Sequence, residues 1–138
     1  MTHMKIIVCL DDNNGMLFNG RRQSRDRVLC EKVLSLTNGS KLWMNAYSQG
    51  LFEGMTGNIW LDESFLGCAE KEDYCFVENV DITPYYSEIE QIIVFRWNRS
   101  YPSDVKFTVA LEDKWKKVSS AEFSGSSHDL ITQEVYTL

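Results

Sequence analysis

Histidine and proline are scarce in this chain, and it has no excess of positive charge. The 138 residues include two histidines and two prolines, and 14 lysines and arginines stand against 20 acidic residues. A metal-dependent enzyme of the ribonuclease Z class needs a histidine cluster of the His-x-His-x-Asp-His type, which two histidines do not supply, so no metal site is expected. The net charge of −6 disfavours nucleic acid as a partner.

Membrane and targeting signals are missing as well. No apolar run approaches the roughly 18 to 20 residues of a membrane span, and the apolar stretch 6–10 is too short for a signal peptide. The cysteines at positions 9, 30, 68 and 75 form no Cys-x-x-Cys pair, and buried free thiols suit the reducing cytoplasm. We therefore expect a cytoplasmic protein with no membrane association and a single domain over residues 1–138, in which residues 1–3 are an extra leader ahead of Met4.

The spacing of apolar residues predicts alternating strands and helices in the first half of the chain and mostly strands in the last third. Predicted strands cover residues 5–10, 41–44, 58–61, 74–77, 91–97, 105–111, 115–123 and 130–136. A helix is predicted after Ser24, which is a typical N-cap residue, and Asn38-Gly39 ends it. A short helix is expected over residues 45–52, and Thr83-Pro84 opens another, with Thr83 as its N-cap.

This order of elements predicts the fold class. It favours an α/β fold with a mostly parallel central sheet, flanking helices and a C-terminal antiparallel hairpin. Strands 5–10, 41–44 and 91–97 are mostly apolar, which is typical of strands buried on both faces, so we expect them to be parallel neighbours or near neighbours.

Four segments follow one another in an order known from one enzyme family. KIIVCLDDNNGMLFNG (5–20) looks like a first strand and a flexible loop over the substrate, and SRDRVLCEKVLSLT (24–37) is similar to the first helix of that family. KLWMNAYS (41–48) resembles the next strand and its phosphate-binding turn, and residues 88–138 resemble the closing strands. Together these segments resemble dihydrofolate reductase, which implies that family's fold.

The resemblance also implies roles for particular residues. Asp26 falls where the family has the acidic residue that helps to protonate the pterin, so it is the candidate catalytic residue. NADPH is the cofactor that the resemblance implies, but the turn after the second strand reads Asn45-Ala46-Tyr47-Ser48, without the family's glycine and basic residue. Glu78-Asn79 likewise replaces the glycine pair that lets the backbone approach the pyrophosphate.

We therefore expect a pocket that binds a small nucleotide- or pterin-like ligand without standard reductase activity. If the chain is an enzyme, the resemblance implies a divergent NAD(P)-dependent reductase. The predicted ligand-binding residues are Arg21, Arg22, Arg25, Arg27, Trp43, Asn45, Tyr47 and Ser48.

Four arginines at positions 21, 22, 25 and 27 form the one concentration of positive charge in the sequence. Together with the amide groups at the start of the following helix, the 21–27 loop would bind a phosphate or carboxylate between Arg22 and Arg25. This favours an alternative function, a non-enzymatic module that binds an anion, RNA or a protein. A third interpretation is a solvated surface in which the arginines pair with nearby acids. Those acids are Asp11, Asp12, Asp26 and Glu31.

Two further motifs contain residue types of hydrolytic enzymes. Asp11-Asp12 follows a strand, as in haloacid-dehalogenase-like phosphatases, but the next residues are Asn13 and Asn14, which cannot shuttle a proton, and this favours a turn. Ser127-His128-Asp129 has the residue types of a catalytic triad. Neighbours in an extended chain point to opposite faces, however, so we expect a hairpin loop in which His128 and Asp129 do not pair.

Overall fold

The computed structural model of the chain describes residues 4–138; the leader expected at residues 1–3 lies outside this range. The strands are β1 (Met4–Leu10), β2 (Gly15–Phe18), β3 (Arg21–Arg22), β4 (Leu42–Met44), β5 (Ile59–Leu61), β6 (Tyr74–Val77), β7 (Ile89–Arg96), β8 (Val105–Lys106), β9 (Lys116–Phe123) and β10 (Ile131–Thr137). The α-helices are α1 (Arg27–Leu36), α2 (Ala46–Gln49) and α3 (Phe65–Cys68), and short 3-10 helices cover Gly50–Phe52 and Thr83–Glu88.

Seven strands form the main sheet in the order β5-β4-β6-β1-β7-β10-β9. The neighbouring pairs from β5 to β7 are all parallel, whereas β10 runs antiparallel to both β7 and β9. A second sheet has the order β3-β2-β8. The α/β class with a mostly parallel central sheet and a C-terminal antiparallel hairpin is therefore confirmed.

The sheet separates two hydrophobic cores, and this explains why its central strands are mostly apolar. Along β1, Ile6 and Val8 pack into one core, whereas Ile7 between them packs into the other. Helix α1 covers the second core with Leu29 and Val33. Parallel strands covered on both faces read as continuous apolar runs, so β1 and β7 are adjacent at the centre, as predicted, and β4 lies one strand away, beyond β6.

Several element boundaries differ from the predictions. Helix α1 starts at Arg27 with Asp26 as its N-cap, so the assignment of Ser24 to this position is wrong; an aspartate caps a helix as well as a serine does. The helix after residue 82 is a 3-10 helix in which Thr83 is the first helical residue and Ile82 occupies the cap. The predicted strand 105–111 is limited to β8 (Val105–Lys106).

The segment 21–27, which was predicted to be one loop, is instead part strand, part loop and part helix. Arg21 and Arg22 form β3, and Arg27 is the first residue of α1, so the connecting segment covers residues 23–26 only. In the part of the chain that the structure describes, no helix is long and apolar enough to cross a membrane.

Candidate functional site

Four buried residues mark the carboxyl end of the parallel strands. Asp11, Asn45, Glu78 and Trp97 directly follow β1, β4, β6 and β7, respectively, and all four are buried. Because these strands are parallel, their carboxyl ends meet at one edge of the sheet, which is where open α/β sheets bind ligands. This edge is therefore the candidate functional site.

The centre of the site is an ion pair between Arg22 and Glu78. The Nε and Nη2 atoms of Arg22 donate to the Glu78 carboxylate at 2.8 and 3.1 Å, a bidentate arrangement. The hydrogen bonding of Arg22 to Glu78 is the main reason why the pKa of Arg22 is raised above its usual value. Arg22 is thus paired with an acid that the sequence analysis did not consider as its partner.

Residues of the turn after β4 surround this ion pair. The backbone N–H of Arg22 donates to the Tyr47 hydroxyl at 2.8 Å, and its guanidinium lies 4.5 Å from the centre of the Tyr47 ring. Ser48 donates from its hydroxyl to Glu78 at 2.8 Å. Asn45 caps α2 by accepting from the N–H of Ser48. The predicted residues Arg22, Asn45, Tyr47 and Ser48 therefore lie in one network.

Asp26 joins the start of α1 to the last hairpin turn. Its carboxylate accepts from the N–H of Leu29 at 3.2 Å, from the N–H groups of Ser126 and Ser127 at 3.0 and 2.8 Å, and from the His128 ring at 3.1 Å. Burial alone would raise the pKa of Asp26, but these hydrogen bonds outweigh it and hold the pKa well below its usual range. Both oxygens are committed to residues of the protein.

His128 lies beneath this carboxylate and is nearly inaccessible to solvent. Its ring stacks on Trp97 with the ring centroids 4.6 Å apart. The Nδ1 atom faces Asp26, and the Nε2 atom lies 3.0 Å from the Ser24 hydroxyl and 3.1 Å from the Tyr101 hydroxyl. Asp129, by contrast, is exposed. The hairpin-loop interpretation of 127–129 holds, but His128 pairs with an acid 102 residues away.

The Asp11 carboxylate is hydrogen-bonded entirely by groups of the protein. Its carboxylate accepts from the backbone N–H groups of Asn13, Gly15 and Tyr101 and from the side chain of Gln23, at distances from 2.7 to 3.1 Å. Burial would raise the pKa of Asp11, but these hydrogen bonds lower it. A carboxylate so fully hydrogen-bonded agrees with the turn interpretation of residues 11–14.

The other three arginines of segment 21–27 line two open clefts beside the network of Arg22 and Glu78. Arg25 and Arg27 flank a cleft of about 370 Å³ whose walls include Cys30, Leu51 and Met55. Arg21 lines a second opening of about 440 Å³. Among residues 4–138, Arg21, Arg25 and Arg27 are exposed and form no ion pair with an acidic side chain.

Trp43 does not join the other predicted binding residues, because its side chain is packed in the hydrophobic core. Its indole N–H donates to Asp73 at 3.0 Å, and its ring belongs to the core on the far side of the sheet from α1, where it also contacts the exposed ring of Trp60. Two residues of the site were not assigned a role in the sequence analysis, Glu78 as the partner of Arg22 and His128 as the partner of Asp26. Both pairings join distant parts of the chain, so no local pattern identifies them.

The fold is that of dihydrofolate reductase. The structure superimposes on the dihydrofolate reductase of Enterococcus faecalis, solved in complex with NADP(H) and RAB-propyl, with a TM-score of 0.67. The match covers 98% of this chain and 95% of the reductase at 8% sequence identity. The sequence itself matches no known protein family and no curated protein.

The residues at the carboxyl edge do not fit a dinucleotide cofactor. At the two positions where the resemblance implies a phosphate-binding turn and a glycine pair, Tyr47 and Glu78 are instead joined through Arg22. The Glu78 carboxylate would repel a phosphate, and the charge of Arg22 beside it is already paired with that carboxylate.

Proposed function

We propose that this chain binds a small anionic ligand of the nucleotide-like or pterin-like class and does not catalyse NADPH-dependent reduction of dihydrofolate. The proposal depends above all on the bidentate ion pair between Arg22 and Glu78. This pair lies where the resemblance implies contacts to the cofactor, and NADPH bound at that position would have to break it and bring its phosphates close to the free carboxylate of Glu78.

The environment of Asp26 supports the same proposal. A reductase of the resembled family needs this carboxylate to contact the pterin. Here both oxygens accept hydrogen bonds from the protein, and the carboxylate is buried. Contact with a pterin edge would require the last hairpin turn to move away from the start of α1. This environment favours a nucleotide-like ligand over a pterin-like one.

The cleft between Arg25 and Arg27 provides the remaining elements of a binding site. Its two exposed guanidinium groups form no ion pair among the described residues. Leu51 and Met55 form apolar parts of its wall, and Asp26 and Glu53 also line it. Small-molecule sites combine apolar walls with a few charged groups in this way. A flat molecule carrying a phosphate or carboxylate fits this combination.

A binding screen tests the proposal directly. Thermal unfolding would be followed with AMP, GMP, ATP, folate, dihydrofolate, NADPH and a short RNA, each at low and high salt. A ligand present at 100 times its Kd adds about 2.7 kcal/mol to the free energy of unfolding, which is several degrees in Tm. We expect a salt-sensitive increase in Tm with at least one mononucleotide or pterin compound.

Arg25→Gln combined with Arg27→Gln should abolish this increase, whereas Arg21→Gln, which removes an equally exposed charge outside the cleft, should preserve it. Saturable oxidation of NADPH in the presence of dihydrofolate would overturn the proposal. So would a screen in which no small molecule raises Tm. A response to RNA alone would favour the interaction module instead.

A further inference from the structure

A serine, a histidine and an aspartate are aligned beside the ion pair. The Ser24 hydroxyl lies 3.0 Å from Nε2 of His128, and Nδ1 of the same ring lies 3.1 Å from Oδ2 of Asp26. This is the order of contacts that links a nucleophile, a general base and an orienting acid in hydrolases that use a serine. The arrangement is independent of the reductase resemblance, which assigns no role to Ser24 or His128.

The hydrogen bonds determine how the proton is placed on His128. Asp26 accepts at Oδ2 and has no proton to donate as a carboxylate, so Nδ1 carries the ring proton. The Nε2 atom is then free to accept from Ser24. A neutral imidazole in this tautomer is the form that can remove a proton from a serine.

The surroundings keep the ring in this orientation. His128 stacks on Trp97, and the Asp26 carboxylate is fixed by backbone N–H groups of Leu29, Ser126 and Ser127. Catalytic groups need supporting contacts of this kind to hold their geometry.

Ser24 itself is half-buried and borders a small cavity. The cavity measures about 10 Å³ and is lined in part by Arg22, Cys30 and Leu51. Its size corresponds to about one water molecule, so it accommodates only a small group such as a methyl. Arg22 lines the same cavity, and its Nη1 atom donates to no described residue, so this N–H group is available as a hydrogen-bond donor to an oxygen in the cavity.

We propose that Ser24, His128 and Asp26 hydrolyse esters of short acyl groups. The Ser24 oxygen bonds to the carbonyl carbon while its proton passes to Nε2 of His128. The bond from that carbon to the alcohol oxygen then breaks, and the alcohol leaves with the proton from His128. Water attacks the acyl-serine with His128 as base, which releases the carboxylic acid and returns the proton to Ser24.

Acetylation by p-nitrophenyl acetate tests this proposal, because the ester carries a short acyl group and a leaving group that absorbs light. We expect a burst of p-nitrophenol and an acetyl group on the peptide that contains Ser24, detected by mass spectrometry. Ser24→Ala should abolish both signals and keep the wild-type Tm, because this half-buried hydroxyl has one hydrogen bond to the protein. Ser119→Ala, at an exposed position of β9, serves as the matched control.

Two further variants separate catalysis from a structural role. His128→Gln should slow acetylation by about 10²- to 10⁴-fold, and its Tm shows whether the fold persists. Tyr101→Phe removes the hydroxyl that competes with Ser24 for Nε2 and should therefore accelerate acetylation, which a merely structural contact would not do. Acetylation that occurs only on lysines, or that is equal in Ser24→Ala and wild type, would overturn the proposal. Neither result would bear on ligand binding between Arg25 and Arg27.

Discussion

Arg22 and Glu78 are 56 residues apart in the sequence, yet two hydrogen bonds join their side chains at the carboxyl edge of the sheet. The Glu78 side chain is 8% exposed and that of Arg22 is 21% exposed. An ion pair with so little solvent contact is strongly coupled, because either charge left alone would be poorly hydrated. The pair therefore fixes β3 against the end of β6.

A double-mutant cycle on this pair should reveal the coupling. We expect Glu78→Gln to lower the free energy of unfolding by about 3 kcal/mol, because it leaves the Arg22 charge without its partner. Arg22→Met with Glu78→Gln should cost less than the sum of the single changes, with a coupling energy of about 1–3 kcal/mol in urea unfolding. The pair Lys5–Glu72, in which the Glu72 side chain is 62% exposed, is the control and should give less than about 1 kcal/mol. Additive effects at Arg22 and Glu78 would contradict the prediction.

The Asp26 carboxylate should make the protein sensitive to acid. Its pKa in the folded state is lowered by hydrogen bonds that outweigh burial, whereas in the unfolded chain it takes up a proton near pH 4. Below about pH 5 the unfolded state therefore binds more protons than the folded state, and the free energy of unfolding decreases as the pH falls.

Asp26→Asn removes this titration, so its free energy of unfolding should be lower by about 2–3 kcal/mol at pH 7 and should decline less steeply between pH 5 and pH 3. Urea unfolding at several pH values measures both effects. Parallel pH curves for the variant and the wild type would show that Asp26 does not contribute to the pH dependence.

Gly125 lies against Asp26, which predicts a strong effect of a single methyl group. A Cβ atom at this position would overlap Oδ2 of Asp26 and lie 2.9 Å from Cδ1 of Ile131. Gly125→Ala should therefore lower the free energy of unfolding by about 1–3 kcal/mol. Gly50→Ala is the matched control, because its Cβ would meet nothing within 4 Å and its φ of −58° is helical; we expect it to be neutral or stabilising. Equal Tm values for the two variants would contradict this argument.

The buried cysteines should react slowly with thiol reagents. Burial, with a further contribution from the charge of Glu78, raises the pKa of Cys30 to about 11, and burial also raises the pKa of Cys75. Little thiolate is then present at pH 8. In the native protein we expect a disulfide reagent to modify Cys68 first, and to reach Cys30 and Cys75 only after unfolding in urea. Peptide mass spectrometry identifies the order, and rapid labelling of native Cys30 would contradict the prediction.

The central strands were predictable because their surroundings are uniform. Strands β1 and β7 are covered on both faces, so each contains a run of consecutive apolar residues. Such a run can be recognised in the sequence without knowing which elements pack against it. The predicted strand 105–111 shows the opposite case. Phe107, Val109 and Leu111 alternate and are buried, but they enter the core from a loop, and alternation alone does not distinguish the two arrangements.

A local signal in the sequence marks the hairpin of β2 and β3. Asn19 and Gly20 connect these strands, both with positive φ, and Asn-Gly is the preferred pair for such a turn. No comparable signal exists for the site. Asp26 was identified through the resemblance, but its partners on the last hairpin turn are set by tertiary packing, which local sequence does not encode.

The hydrogen bonds between Asp26 and the last hairpin turn constrain the order in which the chain folds during synthesis. Asp26 is the N-cap of helix α1, and its remaining hydrogen bonds come from residues 100 to 102 positions later. When only the first half of the chain has been synthesised, α1 is present, but the residues that donate these hydrogen bonds to Asp26 are not. Strand β7, the central neighbour of β1, is missing as well. Native structure around α1 therefore forms after most of the chain has been translated, and such long-range closure is typical of slowly folding proteins.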